Sequence, residues 1–224
     1  MGLHLIVGAQ KSPVVDLATR LRAAGHPLGT LKGTNGTEDI LNAVKAASPE
    51  TTIVFRSLVS GDGRADCPNV WHAPDIEARR WLDELAPYWT GVQADYYELM
   101  NECSVPLDWL ATFSIEAMRV AGSRGQCLLL FSFNTGQPDV EQFAQLAPVY
   151  EYALQNPCAP GRMHGIALHA YGVTPTTLVS ESGIYLGLRH RLFYAHLLAL
   201  VPDAIRVPVY ITEAGPGGGR PAFA

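Results

Sequence analysis

Two glutamates stand where apolar, strand-like runs give way to loops. Glu102 closes Tyr96-Tyr97-Glu98-Leu99-Met100-Asn101-Glu102, and Glu213 follows Val209-Tyr210-Ile211-Thr212. A carboxylate at a strand end is placed for chemistry, whereas one in mid-helix usually faces solvent. Two carboxyl groups so held can divide the cleavage of a glycosidic bond between them, one protonating the leaving oxygen and the other attacking carbon or activating water.

Other strand-end residues could serve such a pair. Arg56 closes Ile53-Val54-Phe55-Arg56, where a guanidinium can hydrogen-bond a carboxylate and keep it ionised, or else form an ordinary rim salt bridge. His169 and Tyr171 in Leu168-His169-Ala170-Tyr171 are two apart, so alternation puts both rings on one face of a strand. Asn134, after Leu130-Phe131-Ser132-Phe133, and Asn35, after Lys32-Gly33-Thr34, take similar positions, and both are equally good turn residues. Trp71, in the Gly-, Asp- and Pro-rich segment 59–74, could stack on a sugar face, while Trp81, Trp89 and Trp109 follow helical patterns and read as packing residues. Glu98 lies four residues before Glu102 and therefore deeper, where it needs a partner such as Lys32 or Arg56.

The elements that must position these residues alternate between short apolar runs and longer runs of helical period. Strands are expected at 3–9, 28–33, 52–58, 96–101, 127–133, 165–170 and 207–212. Ser12-Pro13, Thr37-Glu38-Asp39 and Pro74-Asp75 mark helix starts, and Gly25 and Gly91 mark stops. Val14, Leu17, Ala18 and Leu21 share one helix face, as do Ile40, Leu41, Val44 and Ala47. Strands joined by right-handed helical crossovers run parallel, in an open doubly wound sheet or a closed barrel. The first strand leads into Gly8-Ala9-Gln10-Lys11 rather than a GxGxxG turn, which disfavours a dinucleotide-binding sheet.

The chain of 224 residues suits one domain over 1–224. It is 48% hydrophobic and 17% charged, too apolar for disorder, and it has no apolar run of the roughly 18 residues that would span a bilayer. A formal charge of −5 without a basic cluster argues against nucleic acid as a partner. The short, unflanked Leu3–Ala9 run reads as a strand rather than a signal peptide, which leaves a cytoplasmic or a secreted protein open. Cys67, Cys103, Cys127 and Cys158 lack metal-ligand spacing, so no metal or cofactor is expected. They read as free thiols, with Cys67/Cys103 and Cys127/Cys158 as the alternative pairs.

With Asn101-Glu102 ending the fourth strand and Glu213 the seventh, the chain resembles the clan A glycoside hydrolases, retaining (β/α)8-barrel glycosidases. The resemblance implies an α/β, TIM-type barrel, with Glu102 as general acid/base and Glu213 as nucleophile. It further implies that Asn101 binds the sugar 2-hydroxyl, that Tyr171 donates to the nucleophile, and that His169 binds sugar or steers the acid. The substrate would be a β-linked oligo- or polysaccharide. Met100 and Cys103 depart from the clan's usual Trp-Asn-Glu-Pro, and Arg56 sits on a later strand than the clan's arginine. Only 11 residues follow Glu213 in the 224-residue sequence, too few for a further helix–strand–helix. Seven strands alone would leave open edges that a tail strand from Pro216 to Ala224, self-association or a missing region must cover. The alternative reading is a catalytically inactive carbohydrate-binding or structural barrel of a larger assembly.

Overall fold

The computed structural model describes residues 2–58, 66–172 and 188–216. Among them seven strands pair in sequence order, all parallel. They are β1 (Gly2–Leu5), β2 (Thr30–Thr34), β3 (Thr52–Arg56), β4 (Tyr96–Glu98), β5 (Leu128–Phe133), β6 (Gly165–Gly172) and β7 (Val209–Pro216). Helices α1 (Lys11–Ala23), α2 (Glu38–Ala47), α3 (Pro74–Trp89), α4 (Leu107–Ser123), α5 (Ala147–Gln155) and α6 (Arg189–Leu197) follow β1 to β6 in turn. This is the expected α/β barrel, curled until nearly closed.

Alternation along the strands sorts side chains into an outer and an inner core. Leu31, Ile53, Phe55, Tyr97, Leu128 and Leu130 pack with the helix layer. Val54, Tyr96, Leu129 and Ala167 fill the lower barrel with Cys127 and Cys158. Above that apolar floor the inward positions turn polar: Lys32, Arg56, Glu98, Ser132, His169 and Thr212 are all buried. In this fold the C-terminal strand ends carry the active site, and here the polar layer lies directly beneath them.

Two irregularities break the alternation. Pairing of β5 with β6 slips between Phe131 and Phe133, where Phe131 and Ser132 adopt φ of +77° and +44°. Phe131 and Phe133 both stay with the outer aromatic cluster, stacked at 5.0 Å. Pairing of β6 with β7 goes from Leu168↔Ile211 to His169↔Glu213 and skips Thr212. A bulge of this kind turns consecutive side chains toward one side and re-aims the strand.

Several expectations are corrected in detail. β1 ends at Leu5 rather than residue 9, β4 at Glu98 rather than 101, and β7 runs on to Pro216. Glu102 thus sits past the end of β4, although the peptide hydrogen bonds Leu99 N–H to Leu129 O and Glu102 N–H to Ser132 O carry the chain alongside β5. α1 begins at Lys11, ahead of Ser12, and the Thr37 hydroxyl donates to Thr34 O instead of capping α2. The free-thiol reading is overturned, because Cys67–Cys103 and Cys127–Cys158 are disulfides. Spacing alone does not decide pairing; the barrel brings residues 36 and 31 positions apart into bonding range.

β1 and β7 are not paired with each other. Between them lies a cavity of 300 Å³ lined by His4 and Thr30 on one side and Thr212 and Glu213 on the other. Ile211, on β7, is 39% exposed, and Ile6 and Val7, just beyond β1, are 67% and 68% exposed. The expected tail strand, 216–224, lies outside the described residues beyond Pro216. The segment 59–74 is described only from residue 66. Among the described residues no helix is long and apolar enough to cross a membrane.

The close approach of β6 and β7 depends on Gly165, where an added Cβ would lie 2.8 Å from Pro208 O and 2.9 Å from Leu129 Cδ2. Gly165→Ala should therefore destabilise the protein by about 1–3 kcal/mol through overpacking. The expected readout is a lowered urea midpoint; an unchanged midpoint would contradict the packing described.

Candidate active site

The polar layer is built around one ammonium group. Lys32 alternates with the outward-facing Leu31 and with Gly33 on β2, which turns its side chain into the barrel, where 1% of the residue is exposed. Its Nζ lies 2.5 Å from Glu98 Oε2 and 2.9 Å from Glu213 Oε1. A buried charge without partners would be very costly. Glu98 is satisfied on its other oxygen by the hydroxyls of Ser132 (2.7 Å) and Thr212 (2.9 Å). Those two donors are the residues that the two bulges release into the interior.

Glu213 sits one layer higher, with its side chain 13% exposed. Its Oε1 accepts from Lys32 and from Arg56 Nη1, each at 2.9 Å, and its Oε2 accepts from the Tyr171 hydroxyl at 2.7 Å. Burial alone would raise its pKa. The charge of Lys32, with help from His169 and the Tyr171 bond, outweighs burial and holds the carboxyl at about 2. Glu98 is likewise held well below the usual carboxylate range despite complete burial, with Lys32 as the chief cause. Tyr171 moves the opposite way, raised by burial and then by donation to Glu213.

Glu102 has a different setting. It is 31% exposed at the side chain and accepts a 2.7 Å hydrogen bond at Oε1 from His169 Nδ1, on the tautomer that protonates that nitrogen. Its backbone is left-handed, with φ +52°. Such a conformation costs a non-glycine residue about 1–3 kcal/mol and persists where its surroundings enforce it. The enforcing contacts are the Glu102 N–H bond to Ser132 O and the Cys103–Cys67 disulfide at the next residue.

Of the nine residues singled out from the sequence, six converge. Glu102, Glu213, His169, Tyr171 and Arg56 form the network above, and Asn101 joins through Oδ1, which accepts from Arg56 Nη1. Three lie apart from that network. The Asn35 side chain is bonded to both backbone groups of Leu58. Asn134 is exposed, and its carbonyl accepts from Gln137 N–H. Trp71 is 91% exposed on its loop.

The sequence reading treated Lys32 only as a structural partner of Glu98 and missed His4, Ser132, Thr135 and Thr212. A lysine inside an otherwise apolar strand was the available signal for Lys32. His4 Nδ1 is 3.9 Å from Glu213 Oε1, with its pKa lowered to about 4 by burial and by Lys32. The Thr135 hydroxyl bridges the β6 backbone, donating to His169 O at 3.3 Å and accepting from Tyr171 N–H at 2.7 Å. It thereby fixes the two ring-bearing residues relative to each other.

Among the described residues, Glu102, His169 and Glu213 place one ligand-type atom each within 4.8 Å of one another. The two carboxylates therefore face a common space with an imidazole between them.

No protein-family model matches the chain, and no curated protein matches it. Among solved structures, a family 18 chitinase from Crocus vernus is similar over 100% of this chain and 84% of its own, with TM-score 0.56 and 11% identity. The catalytic domain of a hyperthermophilic chitinase from Pyrococcus furiosus is similar over 89% of this chain and 67% of its own, with TM-score 0.45 and 13% identity. At 11% identity the first likeness establishes the barrel fold.

Lys32→Met tests the network. Glu98 and Glu213 have folded-state pKa values below their unfolded ones, so their contribution to stability is present above about pH 4.3. It is lost as pH falls through the folded values, about 2 for Glu213. Removing the lysine strands a buried carboxylate, and stability at pH 7 should drop by about 3–5 kcal/mol. The deficit should shrink toward pH 3, where the stranded carboxyl is protonated. Urea unfolding at both pH values checks this; a deficit independent of pH would contradict it.

Proposed function

We propose that the chain is a retaining glycoside hydrolase of the clan A type, cleaving β-glycosidic bonds with Glu213 as nucleophile and Glu102 as general acid/base. The observation that carries this reading is the separation of the two carboxylates, whose facing oxygens lie within 4.8 Å. Retaining enzymes hold their carboxyl groups about 5–5.5 Å apart, whereas inverting enzymes leave about 6.5–9.5 Å for a water. The barrel likeness to a family 18 chitinase supports hydrolysis of a glycosidic bond as the reaction.

The unequal settings of the two groups fit unequal roles. Glu213, kept ionised by Lys32 and Arg56, attacks the anomeric carbon as Glu102 gives its proton to the leaving oxygen. The carboxylate of Glu102 then takes a proton from the water that hydrolyses the glycosyl-enzyme. His169, bonded to Glu102, orients that group in both steps. Tyr171 holds Glu213 and steadies the oxygen it leaves uncharged in the ester. Arg56 couples Asn101 to Glu213, so a sugar 2-hydroxyl bound by Asn101 would be set relative to the nucleophile. Asn134 and Trp71 are assigned to outer contacts with a longer glycan, and Asn35 to clamping the loop at Leu58. The two disulfides suit an oxidising, extracytoplasmic compartment.

The unpaired seam between β1 and β7 favours a second reading, a barrel that binds glycans without cleaving them and associates through its edges. Hydrolysis of aryl β-glycosides and β-glycans separates the two. Wild-type protein should hydrolyse at least one, and Glu102→Ala and Glu213→Ala should each lose about 100-fold or more. Azide should restore Glu213→Ala activity with inverted product. A folded wild type inert across the panel would leave the binding reading standing.

A further inference from the structure

We infer that Glu102, His169 and Glu213 form a binding site for one divalent transition-metal ion of the zinc type. His169 Nδ1 stands 2.7 Å from Glu102 Oε1 and 3.8 Å from Glu213 Oε2, and the three ligand-type atoms lie within 4.8 Å of one another. Bonds of about 2.0–2.2 Å to one imidazole nitrogen and two carboxylate oxygens bring donors within about 4.4 Å of one another, so a small contraction of these side chains closes the group around one ion. The mixed nitrogen and oxygen set favours zinc-like ions over magnesium or calcium, which take oxygen ligands.

The support behind the imidazole is the second observation. The His169 side chain is completely buried, and its Nε2 faces the buried Glu98 Oε1 at 3.5 Å, without another hydrogen-bond partner. Metal-ligating histidines usually direct their second ring nitrogen to a carboxylate, which fixes the tautomer that presents a lone pair to the ion. The cations of the site do not stand in the way. Lys32 and Arg56 both contact Glu213 Oε1, leaving Oε2 to face His169 alongside the Tyr171 hydroxyl. Three carboxylates, Glu98, Glu102 and Glu213, against two fixed cations leave the cluster one negative charge to offset a bound cation. Glu102, the most open of the three ligands at 31% exposure, gives the ion its way in.

The ion would replace the His169–Glu102 hydrogen bond, with the imidazole proton carried on Nε2 opposite Glu98, and would occupy both carboxylates at once. On the glycosidase reading, zinc is then a reversible competitor of the sugar; the metal site itself does not depend on that reading. Isothermal titration of zinc chloride into the whole chain at neutral pH should show one strong site, with magnesium chloride giving none. Glu102→Gln, at the solvent side, and His169→Asn should each weaken binding by about tenfold or more. His72→Ala, at the exposed His72–Glu77 pair, should leave it unchanged. Absence of zinc binding to wild-type protein, or binding that survives both site substitutions, would overturn the inference whether or not any glycoside is cleaved.

Discussion

One buried ammonium group organises the upper barrel. Lys32 reaches two carboxylates from different strands, Glu98 on β4 and Glu213 on β7, and so ties opposite walls together. Desolvating a lysine is costly, and the cost is offset only when charged partners and their own hydrogen bonds are all in place. That requirement dictates much of what surrounds it. Glu98 needs donors on its second oxygen, and Ser132 and Thr212 supply them. Glu213, drawn toward Lys32 and Arg56, presents its other oxygen to Tyr171 and the open end of the barrel.

The local distortions follow from the same demand. A regular β7 would send Thr212 and Glu213 to opposite faces, yet both are needed inside. Skipping Thr212 in the pairing with β6 meets both needs. On β5 the left-handed residues Phe131 and Ser132 bring the Ser132 hydroxyl inward while two phenyl rings remain outside. Ser132 then serves twice, since its carbonyl also takes the Glu102 N–H and holds that residue in its left-handed conformation. Strain at Glu102 is thus supported by the layer that holds the lysine. Glu98, facing His169 from below, extends the same support to the imidazole that meets Glu102.

Much of this was legible in the residues, and the reasons for what was not are physical. Strand–helix alternation specifies parallel pairing because each crossover must pack back on the sheet, so seven strands in sequence order could be expected. Strand-end glutamates stood out because burial beneath them leaves few other uses for a carboxylate there. The His169–Tyr171 spacing worked because alternation holds across that part of β6. Bulges are different: they depend on what the neighbouring strand and the buried charges require, and nothing in Phe131-Ser132-Phe133 or Ile211-Thr212-Glu213 announces one. Lys32 is visible as an anomaly in a strand, but its second partner lies 181 residues away. Asn35 shows the converse limit, since a rim asparagine suits a sugar hydroxyl or a loop clamp equally well, and here its amide clamps Leu58.

The central claim is that Glu213, held ionised by Lys32 and Arg56, is the group that attacks. The most direct test is to incubate the protein with an activated 2-deoxy-2-fluoro β-glycoside of a sugar it hydrolyses, then record intact mass and map the modified peptide. Fluorine beside the anomeric centre slows release of a glycosyl-enzyme more than its formation, so one sugar should accumulate per chain, esterified to Glu213. A label on another residue would contradict the account. So would hydrolysis that proceeds with no covalent adduct, the behaviour of a substrate-assisted route.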